Sequence, residues 1–184
     1  MSEEWNIRPL RPGDAPALVS LRREALEVDP LAFAASTEDD RALSLDFVRT
    51  ALADDQEQAV FGLFHGADLA GMVGVIRESK VKRRHKATIW GMYVAPGARS
   101  SGRGRALLTA AIEHARRWPG LDQVELSVSD TALNAKRLYE TAGFRSWGRE
   151  PRALHWKGRF VDDHHLVLEL HADREPGRPP AESR

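Results

Sequence analysis

The stretch Val94-Ala95-Pro96-Gly97-Ala98-Arg99-Ser100-Ser101-Gly102-Arg103-Gly104-Arg105-Ala106-Leu107-Leu108 decides how the chain is read. A strand ends at Val94, and a loop of glycines and small residues follows. From Gly102, apolar residues at Leu107, Leu108, Ala111, Ile112 and Ala115 recur at helical spacing until Pro119-Gly120 stops them. The first N–H groups of a helix lack intrahelical partners, and the macrodipole adds about half a positive charge there. Glycines let a ligand approach the backbone, while Arg99, Arg103 and Arg105 add full charges. This arrangement suits a phosphate or pyrophosphate. A tight turn with solvated arginines is the alternative that the stretch alone leaves open. Gly97 to Gly102 has the spacing of a nucleotide P-loop, but Arg103 and Gly104 stand where Lys and Ser/Thr are required. A dinucleotide fingerprint fails as well, because Leu107 occupies its third small position.

Working outward, Trp5 to Leu10 alternates as a strand, and Pro12-Gly13-Asp14 opens a helix with an apolar stripe at Leu18, Leu21, Ala25, Leu26 and Val28. Asp29-Pro30 ends it, Leu31 to Asp40 reads as loop, and Ser44 caps a second helix over Leu45 to Ala53. Ala59 to Phe64 and Leu69 to Ile76 form a hairpin about His65-Gly66-Ala67-Asp68, and Ala87 to Val94 is a further strand. Gly91 inside that strand predicts a bulge or the close approach of another backbone or a ligand. Val124 to Val128 is a short strand. Asn134 to Ala142 is a helix with Gly143 as its left-handed terminator. Strands at Phe144 to Arg149, Leu154 to Trp156 and Phe160 to Leu170 complete the pattern. The class is α+β, a mixed sheet with helices on it, over residues 1–171. Residues 172–184, rich in Pro, Gly and charge, are predicted to be a disordered tail.

Composition narrows the function. The 184 residues carry 27 Lys+Arg, 27 Asp+Glu and no Cys. Absence of cysteine removes disulfides, thiolate metal sites and cysteine nucleophiles, and it suits a reducing cytoplasm. Zero net charge argues against nucleic-acid binding by bulk charge. No apolar run approaches a membrane span, and the acidic opening Met1-Ser2-Glu3-Glu4-Trp5 has no export-signal character. The expectation is a soluble cytoplasmic protein.

Arg99-x-x-Gly102-x-Gly104, after Met92-Tyr93-Val94 and before Ala106-Leu107-Leu108, resembles the acyl-CoA signature of the GNAT N-acetyltransferase superfamily. About thirty residues on, Asn134-Ala135-Lys136-Arg137-Leu138-Tyr139-Glu140-Thr141-Ala142-Gly143-Phe144 is similar to its second hallmark. Weaker similarity runs from about Trp5 to Leu170, and the Glu150 to Leu154 and Gly158 to Asp162 segments resemble an uncharacterised branch. The resemblance implies a mostly antiparallel central sheet with splayed strands and flanking helices. It implies acetyl-CoA as co-substrate, with no metal, and acetyl transfer to a primary amine of a small molecule or peptide. The backbone of Met92, Tyr93 and Val94 would pair with the pantetheine arm. Amides of Ser100, Ser101, Gly102, Arg103, Gly104, Arg105 and Ala106 would hold the pyrophosphate, with Arg99 and Arg103 near its oxygens. Asn134 would bond the pantetheine, and Tyr139 would lie by the thioester sulfur as general acid.

A lysine-like ammonium has a pKa of about 10.4, so freeing its lone pair at pH 7 costs about 4–5 kcal/mol and calls for a base. Many superfamily members keep a carboxylate on the strand before the pyrophosphate loop, but Ala87 to Val94 contains none. Glu24, Glu38 and His155, in segments bordering the acceptor site of the superfamily, are the candidates. Glu24 also reads as a solvated helix charge, Glu38 as an acidic loop residue and His155 as a strand surface residue. Tyr139 shares a stripe with Ala135, Leu138 and Ala142, so its pattern alone reads as a core aromatic.

Other features carry less. Asp162-Asp163-His164-His165 has ligand-type residues, but neighbours on a strand face opposite ways and cannot converge on one metal ion. Lys80 to Lys86 could grip RNA yet lacks interleaved aromatics, so a solvated loop is expected. Trp147 and Trp156 can line a pocket or a homodimer interface, and both readings stay open. A non-catalytic acyl-CoA-binding sensor is the rival to the enzyme. Charge is segregated along the chain: residues 77–105 hold nine Lys/Arg against one Glu, and residues 24–57 hold ten Asp/Glu against two Arg. The expected acceptor is therefore a cationic amine drawn to the acidic segment.

Overall fold

Alternating apolar residues build seven strands into one sheet in the computed structural model, which describes residues 4–54, 56–99 and 101–171. In chain order these are β1 (Trp5–Pro9), α1 (Ala15–Val28), α2 (Leu45–Ala53), β2 (Gln58–His65), β3 (Asp68–Arg77), β4 (Lys86–Val94), α3 (Arg103–Ala115), β5 (Gln123–Ser129), α4 (Leu133–Thr141), β6 (Arg145–Trp156) and β7 (Arg159–Glu169). The strand order is β1-β2-β3-β4-β5-β7-β6. Every neighbouring pair is antiparallel except β4 with β5. The class is the mixed α+β arrangement expected. Ser100 and the tail at 172–184 lie outside the described residues.

Local chemistry sets the helix ends. The Ser44 hydroxyl accepts from the Phe47 N–H at 3.4 Å, satisfying one orphan donor of α2. Gly143 terminates α4 with φ of 99°, in the left-handed region that favours glycine.

The sheet has a core on each face. On one, α3 and α4 bury Leu107, Leu108, Ile112 and Tyr139 against Val73, Val75, Ile89 and Leu126. On the other, α1 and α2 bury Leu18, Leu21, Ala25 and Val48 against Phe64, Met72 and Tyr93. β4 contributes to both, because each successive side chain points to the opposite face.

One sequence expectation needed correction. The separate strands placed at Phe144 to Arg149 and Leu154 to Trp156 are one strand, β6. Pro151 falls within it at a break in the β6–β7 register between Glu150 and Leu154. There Arg152 has φ of 55°, and its N–H donates to Asp162 Oδ1 at 2.7 Å. An edge strand tolerates proline at such a bulge because no ladder bond is lost. The basic run at Lys80 to Lys86 joins β3 to β4 as the solvated loop expected, exposed from Lys80 to Arg83, with ion pairs at its base. Arg83 pairs with Glu78 at 3.2 Å, Lys86 with Glu125 at 2.5 Å, and Arg84 with Glu57.

A Cβ at Gly74 of β3 would overlap the Trp90 indole, which lies across it from β4. Gly74→Ala is expected to cost about 1–3 kcal/mol through overpacking. Gly97→Ala, where a Cβ meets nothing within 4 Å, is expected to stay within about 0.5 kcal/mol of wild type. Urea unfolding of the two variants measures the difference, and equal midpoints would contradict the packing argument.

Candidate active site

Two irregularities in β4 make the site. It pairs with β5 only at Lys86↔Gln123, Ala87↔Val124 and Thr88↔Glu125, and the two strands then part. On its other side, Tyr93 faces Met72 while Trp90 faces Gly74, so β4 spends one residue more than β3. That extra residue is the bulge expected at Gly91, whose φ is 62°. The bulge resets the alternation: Ala87, Ile89, Met92 and Val94 all face the α3 core, while Tyr93 turns to the α1 core. Unpaired backbone groups are left at the bulge.

The parting opens a groove of about 890 Å³. Met92, Tyr93 and Val94 line one wall, residues 131–135 and Leu138 the other, and Asp29 and Phe33 reach in from the chain after α1. At its end lies the start of α3. Ser101 and Gly102, with φ of 54° and 74°, turn the chain into the helix, and no side chain caps it. The amides of Gly102, Arg103, Gly104 and Arg105 are therefore the orphan donors of this helix. Gly104 lines the groove, and a Cβ there would meet Leu138 at 3.6 Å and Met92 at 3.7 Å.

A family model described as the acetyltransferase (GNAT) family matches residues 18–144. The chain belongs to the GNAT acetyltransferase family. A mycothiol acetyltransferase of Salinispora arenicola is 30% identical over 152 residues, covering 80% of this chain and 47% of that protein. The chain spans about half the length, or less, of the curated relatives it matches. A GNAT-family acetyltransferase from Streptococcus pneumoniae superposes with a TM-score of 0.81 at 25% identity, covering 91% of this chain and all of that one. The structure of yncA from Salmonella typhimurium with its cofactor acetyl-CoA has a TM-score of 0.80 at 20% identity, covering 97% of this chain and 99% of that one.

Within this GNAT fold, the site residues read from sequence divide. Asn134 lines the groove with Met92, Tyr93 and Val94. Ser100 is outside the described residues. The Ala106 amide donates to the Gly102 carbonyl at 3.0 Å, so it is a helix donor and not a free one. The three loop arginines are held elsewhere. Arg99 donates to the Val94 carbonyl at 2.8 Å and to Asp29 at 2.7 Å, Arg103 lies 4.0 Å over the Trp5 ring, and Arg105 donates to the Thr141 carbonyl at 2.9 Å. Any anion at the loop thus meets backbone dipoles first. Tyr139 is buried in the α3 core with its ring edge toward Phe144, and burial raises its phenol pKa.

Of the base candidates, Glu24 alone reaches β4: its Oε1 accepts from the Tyr93 hydroxyl at 2.9 Å. Glu38 is exposed in its loop, and exposed His155 stacks on Phe160 at 4.2 Å. His155 borders a second cleft of about 350 Å³ between the 30s loop and the β6–β7 hairpin. Among the described residues, no group of three His, Asp or Glu side chains is placed to hold a metal ion, and no helix is long and apolar enough to cross a membrane.

One residue escaped the sequence reading. Arg22 of α1 has a side chain only 8% exposed, bonded through Nε to Asp40 at 2.7 Å, and stacked 4.5 Å from the Phe33 ring centre. Its Nη1 is buried without a hydrogen-bond partner among the described residues. The signal was available: Arg22 falls four after Leu18 and three before Ala25, a charge on the apolar stripe of its helix.

Burial, then the bond to Glu24, pushes the Tyr93 phenol from 10.0 up to about 12. The unfolded chain loses this proton near pH 10 while the native state keeps it, so stability present below pH 10 falls as pH rises toward 12. Tyr93→Phe is expected to shallow that decline in urea midpoints measured from pH 9 to 12. An unaltered slope would contradict the assignment.

Proposed function

We propose that this chain moves acetyl from acetyl-CoA to a primary amine by direct attack within a ternary complex. The observation that carries the reading is one groove faced both by the bulged, unpaired backbone of β4 and by the uncapped start of α3. Both match an acyl-CoA in charge and shape: helix amides suit a pyrophosphate, and an open strand edge suits an amide-bearing arm. The side-chain-free Gly104 leaves room between them. The residues present fit the co-substrate, which supplies an activated acetyl thioester when bound.

The chain's own groups then have definite tasks. The amides of Gly102 to Arg105 bind the pyrophosphate, and Met92 and Val94 hold the arm in register. Binding there displaces Arg99 from the Val94 carbonyl. A β4 N–H at the bulge faces the thioester oxygen and stabilises the charge that grows on it during attack. Glu24 receives or relays the ammonium proton, since a carboxylate that accepts one bond from Tyr93 keeps further lone pairs. Tyr139 acts through a hydrogen bond to the sulfur. A thiol titrates near 8.5, well below a phenol raised by burial, so complete proton transfer from Tyr139 is uphill.

The acceptor's charge is read from what remains unpaired. Asp29, Asp40, Asp46 and Glu57 of the acidic segment are matched by Arg99, Arg22, Arg49 and Arg84. Of the described acidic residues that remain, Glu24 contacts β4 and Glu27 lines the second cleft. Glu38 and Asp39 sit in the exposed loop and Asp54 follows α2, so attraction for an ammonium beside β4 falls to Glu24.

Acetyl-CoA-dependent release of CoA with a panel of amines tests the function. Steady release is expected, and tight acetyl-CoA binding without transfer would favour an acyl-CoA sensor instead. Tyr139→Phe is expected to lower kcat about tenfold, the worth of one hydrogen bond, while acetyl-CoA Kd stays within about threefold. An unchanged kcat would remove Tyr139 from the chemistry.

A further inference from the structure

We propose that the acceptor amine also carries a carboxylate, which docks on Arg22, and an apolar side chain, which fills the cavity between α1, α2 and the sheet. The substrate class is an apolar α-amino acid. This rests on the acetyl-transfer reading, because it names the acceptor of that same site.

The cavity measures about 310 Å³, at the low end of small-molecule sites, and its walls include Leu18, Phe47, Val48, Ala51, Met72 and Ile76. Phe47 and Ile76 are 37% and 41% exposed, so its rim reaches solvent. It lies on the α1 face of the sheet, opposite the α3 cradle. Acceptor and donor can therefore approach β4 from opposite sides.

Among the described residues, Arg22 is the one cation lining this largely apolar space, which Asp54 and Gln58 also border. Asp40 takes its Nε, and Nη1 has no partner among the described residues. A buried donor left unmade is costly, and a planar guanidinium is best matched by a carboxylate. The direction is equally specific. Nη1 lies 3.8 Å from where a Cβ of Gly91 would stand. No Cβ stands between Nη1 and the bulge, but Nη1 is itself buried, so a ligand carboxylate reaches it as the guanidinium turns toward the side that this glycine leaves open. In an α-amino acid a single carbon separates nitrogen from carboxylate, so the amine falls at the bulge where the acetyl group must be met. The Cα substituent is left to enter the apolar cavity. The expectation of a cationic acceptor is thereby refined to a zwitterion, its ammonium near Glu24 and its carboxylate on Arg22.

The test compares kcat/KM with acetyl-CoA for phenylalanine, phenylalaninamide and glycine. Wild type is expected to prefer phenylalanine over its amide by about ten- to a hundredfold, the worth of a charge-assisted hydrogen bond. It is also expected to prefer phenylalanine over glycine by at least about tenfold. Arg22→Gln brings acid and amide within about threefold of each other. Ala51→Phe keeps the Arg22–Asp40 pair, narrows the cavity, and erases the preference over glycine while the acid preference survives. Robust acetylation of the amide at or above the acid overturns the proposal and leaves acetyl transfer standing. Preferential use of succinyl-CoA, lost in Arg22→Gln, also overturns it by giving Arg22 to the donor side. If no amine is acetylated, the transfer reading falls and calorimetry with N-acetylphenylalanine decides the carboxylate site alone. Binding weakened at least tenfold in Arg22→Gln supports it, and no binding to wild type overturns it.

Discussion

The parting of β4 from β5 is the constraint on which the rest depends. A parallel pair normally continues its ladder, because each unpaired N–H or C=O buried without water costs free energy. Here three matched positions hold the strands together, and from Met92 to Val94 β4 lines a groove. The bulge at Gly91 makes this tolerable on the other side, since it lets Met92 and Val94 keep their core contacts after the strand has changed direction. The fold thus stores unused hydrogen-bonding capacity where a ligand can take it up.

Charge is organised around the same strand. On the α3 side, Arg99, Arg103 and Arg105 are each tied to other groups, which leaves the helix amides as the donors proposed for an anion. On the α1 side, Arg22 and Glu24 face β4 from one helix, the first through the gap at Gly91 and the second through Tyr93. A cation and an anion presented together suit a ligand with both charges better than a simple polyamine. The ion pairs that neutralise Asp29, Asp40 and Glu57 explain why the acidic tally of that segment overstates its pull on cations.

Most of the fold was legible because its signals are local. Ser44 capping a helix over Leu45 to Ala53, Gly143 ending α4, and the apolar stripe of α3 are each set within a few residues. Gly91 announced the bulge because an interior strand glycine is costly without a purpose. The glycine turn into α3 was legible for the same reason, since Gly102 heads the helix with φ of 74°. What stayed hidden depends on partners distant in sequence. Continuity of β6 through Pro151 depends on Asp162 of the neighbouring strand. The fate of the loop arginines depends on Trp5, Asp29 and Thr141. Arg22 acquires its role only from Asp40, Phe33 and Gly91, which the fold places around it.

In the proposed reaction an acyl-CoA fills the β4–β5 parting and delivers its thioester to the Gly91 bulge. A crystal structure with acetyl-CoA tests it most directly. The pantetheine arm is expected beside Met92 and Val94, the pyrophosphate on the amides of Gly102 to Arg105, and the acetyl group next to Gly91 facing Arg22 and Glu24. Acetyl-CoA seated outside this groove, or β4 and β5 zipped together with the ligand bound elsewhere, would contradict it.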